Sequence, residues 1–199
     1  VTRIARLGYW AAIGACAASI VYGVAQLLQV FGLIGDPIDR IAIFVPSLIL
    51  VPFFVAMLAA AHDAATPAAR GWRAASLALG LLYGAMASMV YVNQLGVVIP
   101  GEKIGLDDYV RPWTCCAFQE PMTAIDLLGY TYMSIALLLL APSYPPGWLR
   151  RLLIANGLLA PFILLQLYWP MLILVAASWL VLFPLAMALI ARQFRTKAC

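Results

Sequence analysis

The chain has 199 residues, of which 65% are hydrophobic and 10% charged, with a formal net charge of +4 at pH 7. A soluble domain carries roughly 25% charged residues, so these polar side chains are too few to cover a water-soluble globule, and apolar runs of about 20 residues point to bilayer-spanning helices. The positive charge does not indicate nucleic acid, because the basic residues stand in short clusters at segment ends and form no stripe with interleaved aromatics.

The first segment opens with VTRIARLGYWAAIGAC, which resembles a signal peptide, and residues 13–16 resemble a lipoprotein cleavage site. The apolar run continues past Cys16 to about Ile34. A secretory core is only about 7 to 15 residues long, so a first transmembrane helix is expected. Runs bounded by charge, Pro and Gly then predict six spans, at about 8–34, 41–61, 74–99, 122–141, 152–168 and 170–191. The breaks fall at GDPIDR, HDAATPAARGWR, the long 100–121 stretch, PSYPPGWLRR and Trp169-Pro170. Pro46, Pro52, Pro161 and Pro184 lie inside spans, where neighbouring helices can satisfy the freed carbonyls. The expected fold is an all-α membrane protein, a single six-helix bundle.

Charge orients it. With a cytoplasmic N-terminus, the inner positions carry Arg3, Arg6, Arg70, Arg73, Arg150, Arg151, Arg192, Arg195 and Lys197, against Arg40, Lys103 and Arg111 outside. That bias favours both termini in the cytoplasm and an even number of spans, hence a hairpin rather than a kink at Trp169-Pro170. The expected location is a bacterial inner membrane, crossed several times. Ala15, Ser19 and Gly23 on the first span, and Gly80, Gly84 and Ser88 on the third, form small-residue stripes that let helices approach closely in lipid.

Polar side chains then gather at one depth. Gln26 and Gln29 lie toward the outer end of the first span, Tyr91, Asn93 and Gln94 toward that of the third, Asp126 and Tyr130 open the fourth, and Gln166 closes the fifth. Tyr22, Gln26 and Gln29 share a helical face, as do Asp126, Tyr130 and Met133, and as do Tyr83, Tyr91 and Gln94. These spacings predict a polar pocket open to the outer face, with residues 100–121 as its lid. The plainer alternative is an interfacial belt of Tyr and polar groups in contact with water and headgroups.

Asp126 is the sharpest residue, because an acid inside a span is costly and usually faces a cavity or a partner. It could bind a cation, pair with Arg111 or accept a proton; near the helix start it could instead interact with the macrodipole, with Glu120 or Thr123 as cap. His62 and Asp63 end the second span on the opposite side, about 30 Å away, too far for a relay. For Cys115-Cys116, a vicinal disulfide, an intermolecular bridge, free thiols and soft-metal ligation are all open, although no outer histidine completes a zinc site. No metal or cofactor is indicated.

The runs AHDAATPAARGWRAASLALGLL, AIDLLGYTYMSIALLLLAP and PPGWLRRLLIANGLLAPFILL together resemble a loose group of six-helix bacterial membrane proteins. The resemblance implies a fold and topology and transfers no catalytic residue. Three functions are compatible with the pattern. One is a binder or carrier of a small amphipathic or lipid-like molecule, using Asp126 with Tyr side chains and Trp113. Another is an enzyme acting on a lipid or isoprenoid with Asp126 or Glu120 as acid or base. The third is an accessory subunit of a larger membrane complex. Membrane lipids are the expected partners, with homo-oligomer formation left open.

Overall fold

A computed structural model of the chain describes residues 3–196, so Lys197, counted above among the inner charges, lies outside the described residues. Six helices are long and apolar enough to cross a membrane, and no strand occurs among the described residues. In hydrocarbon each backbone N–H and C=O must find its partner inside the segment, which is why these apolar runs fold as helices.

The helices are α1 (Arg3–Val30), α2 (Ile38–Asp63), α3 (Arg70–Asn93), α4 (Pro121–Leu140), α5 (Trp148–Gly157) and α6 (Trp179–Thr196). Three of them extend into less regular turns. α3 continues through a π-helical turn (Gln94–Val98) into Ile99–Lys103, α5 through Ala160–Leu164 and Leu165–Leu167, and α6 is preceded by Pro170–Leu172 and Ile173–Ala176.

Two boundaries differ from the sequence expectation for identifiable reasons. The third span does not end near 99. Arg40, in the first turn of α2, donates to Glu102 through both terminal nitrogens and to Asp36 through Nε. This fork holds the added turn of α3 over the start of α2. The connecting loop is thus shorter than 100–121. Residues 150 and 151, expected in a loop, lie in the first turn of α5. That helix breaks after Gly157 because Pro161 has no N–H to give to the carbonyl four residues back.

The helices pack in a closed cycle: α1 on α2, α2 on α3, α3 on α4, α4 on α5, α5 on α6 and α6 on α1. Contact of α5 with α6 makes the Trp169-Pro170 junction a hairpin, as the even span count requires. Small residues set the spacing. Gly8 lies against the Phe194 ring and Gly23 against Leu180, so α1 and α6 run antiparallel. A Cβ at Gly84 would stand 3.2 Å from Val51, and one at Gly157 would stand 3.0 Å from the Cα of Leu138. Ser76 Oγ donates to the Ala136 carbonyl at 2.7 Å, joining α3 to α4.

At the end of the bundle that holds residues 3 and 196, Arg73 is a clamp rather than a surface charge. It is 6% exposed, donates to the carbonyls of Ala61 and Ser143, and its guanidinium lies 5.3 Å from the Tyr144 ring centre. Both carbonyls belong to helix C-terminal ends, where partial negative charge accumulates and a cation is favoured.

Candidate functional site

At the other end, α4 begins where Glu120 adopts extended backbone and Pro121 occupies the first helical position. Asp126 is therefore the sixth residue of the helix, about 8 Å below its start at 1.5 Å per residue. That depth takes it past the first turn, so it does not cap the helix. The helix start is served otherwise: Thr123 Oγ1 accepts from the Cys116 N–H, and the Glu120 carboxylate accepts from Thr114 Oγ1 and the Ala117 N–H.

Asp126 faces an aromatic core. Phe54, Tyr83, Tyr130, Trp179 and Phe183, from α2, α3, α4 and α6, form a closed circuit of ring contacts. Successive centroids are 5.6 Å (Phe54–Tyr83), 5.6 Å (Tyr83–Tyr130), 5.6 Å (Tyr130–Trp179), 4.7 Å (Trp179–Phe183) and 5.8 Å (Phe183–Phe54) apart. Most of these pairs meet edge to face, the geometry favoured by the ring quadrupole. Tyr22 of α1 joins through Trp179 at 5.8 Å, and Phe44 stacks on Tyr91 at 5.6 Å. The Tyr91 hydroxyl donates to that of Tyr130 at 2.9 Å and also lies against the Asp126 carboxyl. The Asp126 carboxyl lies within electrostatic reach of the hydroxyls of Tyr22, Tyr83, Tyr91 and Tyr130. Tyrosines of α1, α3 and α4 thus surround one carboxyl group, and the ring circuit joins them to α2 and α6.

Three polar atoms in this cluster have no hydrogen-bond partner: Asp126 Oδ1, the Tyr83 hydroxyl and Trp179 Nε1. Tyr83 is 0% and Trp179 6% exposed, whereas Asp126 is half-buried with its Oδ1 fully shielded. The Tyr130 hydroxyl is close to that of Tyr83, yet the pair lacks hydrogen-bonding geometry. An unmet buried polar atom costs about 1–3 kcal/mol, so three in one place call for an explanation. The ion pairs among the described residues are those of Arg40 with Asp36 and Glu102; Arg111 does not pair with Asp126.

The remaining residues singled out from sequence fall into separate groups. Tyr83, Tyr91 and Gln94 do share a buried face. Gln94, however, serves the loop: its Nε2 donates to the Trp113 carbonyl at 2.7 Å, and its Oε1 accepts from the Cys115 N–H at 3.2 Å. Asn93 donates to the same Trp113 carbonyl at 3.0 Å, while the Trp113 side chain is exposed. Gln26 donates to Gln29, which donates to Asp39 of α2 at 2.8 Å. Gln166 donates to the Ile163 carbonyl of its own segment. Asp126, Tyr130 and Tyr91 are brought together; the four glutamines and Asn93 have structural partners elsewhere. Trp179, which the sequence reading passed over, carries a signal in retrospect. It lies well inside a span, away from the interface where Trp is usual, with Phe183 one turn on.

Cys115 and Cys116 are joined as a vicinal disulfide, which resolves the alternatives left open by the sequence. Cys115 packs against the core edge and Cys116 is exposed. No group of three or more His, Cys, Asp or Glu side chains able to hold a metal occurs among the described residues.

No family model matches this chain, and comparison with curated proteins and with solved structures gives no significant match. The likeness to other membrane proteins rests on the six spanning helices.

Proposed function

We propose that this chain binds or carries a small amphipathic, lipid-like molecule with a cationic head, received at Asp126 within the aromatic core. One observation carries the reading. A carboxyl group with an unmet oxygen sits in an aromatic cluster that holds two further unmet polar atoms, and among the described residues no cation pairs with it. A positive head would satisfy Asp126 and meet the negative ring faces, an attraction that reaches about 2 kcal/mol in a desolvated site. An apolar tail suits the ring-lined surroundings of that carboxyl group. The loop tied down by Asn93 and Gln94 is then the lid, positioned by the π turn, a feature frequent at functional sites.

In this reading the site opens toward the outer face of a bacterial inner membrane, with both termini in the cytoplasm. The excess of Arg at the end holding residues 3 and 196 supports that orientation. No specific observation favours the enzyme reading, since the Glu120 carboxylate is held by Thr114 and Ala117.

The test is equilibrium binding in lipid nanodiscs. N,N-dimethylhexylamine, protonated at neutral pH, is compared with its uncharged carbon analogue 2-methyloctane. The cation should bind the unaltered chain, and Asp126→Asn should weaken it about tenfold or more, the loss of one charge-assisted hydrogen bond. Because Oδ1 has no protein partner, the Asn variant should fold normally. Equal binding of the two probes, or a variant that binds the amine unchanged, would refute the reading.

A further inference from the structure

At the end of the bundle opposite Asp126, a crevice of about 380 Å³ opens between the start of α3, the end of α4 and the first turns of α5. Leu138, Leu139 and Ile154 form its apolar wall, and Trp72 and Arg150 stand at its margin. Its volume lies within the roughly 300–1,000 Å³ of small-ligand clefts. Trp72 is 49% exposed. Arg150 is half-buried, and among the described residues its guanidinium has no ion-pair or hydrogen-bond partner. Its neighbour Arg151 is engaged differently, 5.6 Å from the Trp148 ring centre.

The end of the bundle that holds the crevice is strongly basic. Arg70, Arg150, Arg151, Arg192 and Arg195 share this end, and Asp63 is its one acid among the described residues. The first turn of α5 contains no acidic residue, so Arg150 has no local counter-charge.

We infer that this crevice is a site for an anionic glycerophospholipid, with the headgroup phosphate on Arg150 and an acyl chain against Leu138, Leu139 and Ile154. An apolar wall between spanning helices faces acyl chains, and an unpaired cation at its margin lies where the headgroups of that leaflet begin. Basic recesses between helices select anionic lipid headgroups on this principle. Trp72 at the margin suits the same depth, because indole rings settle at the headgroup level. Inorganic phosphate offers the same anionic oxygens without the chain, so the two sources are separable.

The experiment is native mass spectrometry of the full chain released from detergent, titrated with phosphatidylglycerol or with phosphatidylcholine of identical acyl chains. Phosphatidylglycerol should be retained in preference. Arg150→Gln should weaken that retention about fivefold, the worth of one basic residue near a charged headgroup, and leave phosphatidylcholine unchanged. Arg151→Gln removes the same net charge away from the crevice and should have little effect. Arg150→Lys should restore most of the selectivity, and Ile154→Trp, which fills the crevice, should lower retention with all charges kept.

Equal retention of the two lipids would overturn the inference, as would equal loss in Arg150→Gln and Arg151→Gln, which would reduce the effect to net charge. Displacement of the lipid by an equimolar amount of inorganic phosphate would also overturn it, by showing that the chain contributes nothing.

Discussion

Tyr83 and Asp126 illustrate how a buried polar atom can be read in two directions. Without a ligand, the Tyr83 hydroxyl is a cost, because it is 0% exposed and unmet. Tyr83→Phe should therefore stabilise the ligand-free protein by up to about 1 kcal/mol, seen as a raised midpoint in thermal unfolding. The same variant should weaken amine binding if the hydroxyl meets the ligand; a destabilised Phe variant would show that the hydroxyl has a partner after all. The cysteine pair gives a second residue-level test. Mass spectrometry under non-reducing conditions should find a chain two hydrogens lighter than the reduced one, with the bond mapped to Cys115 and Cys116. A chain of full reduced mass would show free thiols. The sequence could place these cysteines in the loop but not choose among their chemistries, because that choice depends on how Gln94 and Thr123 hold the two backbone N–H groups.

At the scale of the helices, the close approaches make quantitative claims. Gly157→Ala would bring a methyl group against the Cα of Leu138, which is backbone and cannot swing away. A cost of about 1–3 kcal/mol is expected. Gly84→Ala should cost less, because it meets a valine side chain at 3.2 Å that can give a little. Unfolding midpoints of the two variants would rank them, and the reverse order would refute this packing. Arg73→Leu removes both donors from the C-terminal carbonyls of Ala61 and Ser143 and should destabilise the fold by about 1–3 kcal/mol. A neutral result would return Arg73 to a topology signal only. Apolar run length disclosed the spans, and the distribution of Arg and Lys along the chain, which requires an even span count, disclosed the hairpin at Trp169-Pro170. The π turn at Gln94–Val98 and the added turn to Lys103 were hidden, because Arg40 and Glu102, which hold that turn, are 62 residues apart. Helical spacing correctly put Tyr83, Tyr91 and Gln94 on one buried face. It could not show that Gln94 would serve the loop while the two tyrosines serve the core.

For the whole molecule, the two ends divide the work. One end gathers arginines around Arg73 and the crevice at Arg150, and the other gathers carboxylates, the disulfide loop and the aromatic core over Asp126. The depth of Asp126 and its aromatic neighbourhood were partly legible, through Tyr22, Tyr83, Tyr91 and Tyr130. The contribution of Trp179, Phe183 and Phe54 was not, since apolar residues on different spans carry no sequence mark of meeting. The central claim is that the unmet Asp126 Oδ1, Tyr83 hydroxyl and Trp179 Nε1 await a ligand from the membrane. A crystal structure of the protein grown from a lipidic phase with dimethylhexylamine would test it most directly. The account predicts density larger than a water molecule, within hydrogen-bonding distance of Asp126 Oδ1 and in contact with the Tyr83 and Trp179 rings. A closed core in which ordered water alone, or the three groups themselves, satisfy one another would contradict it.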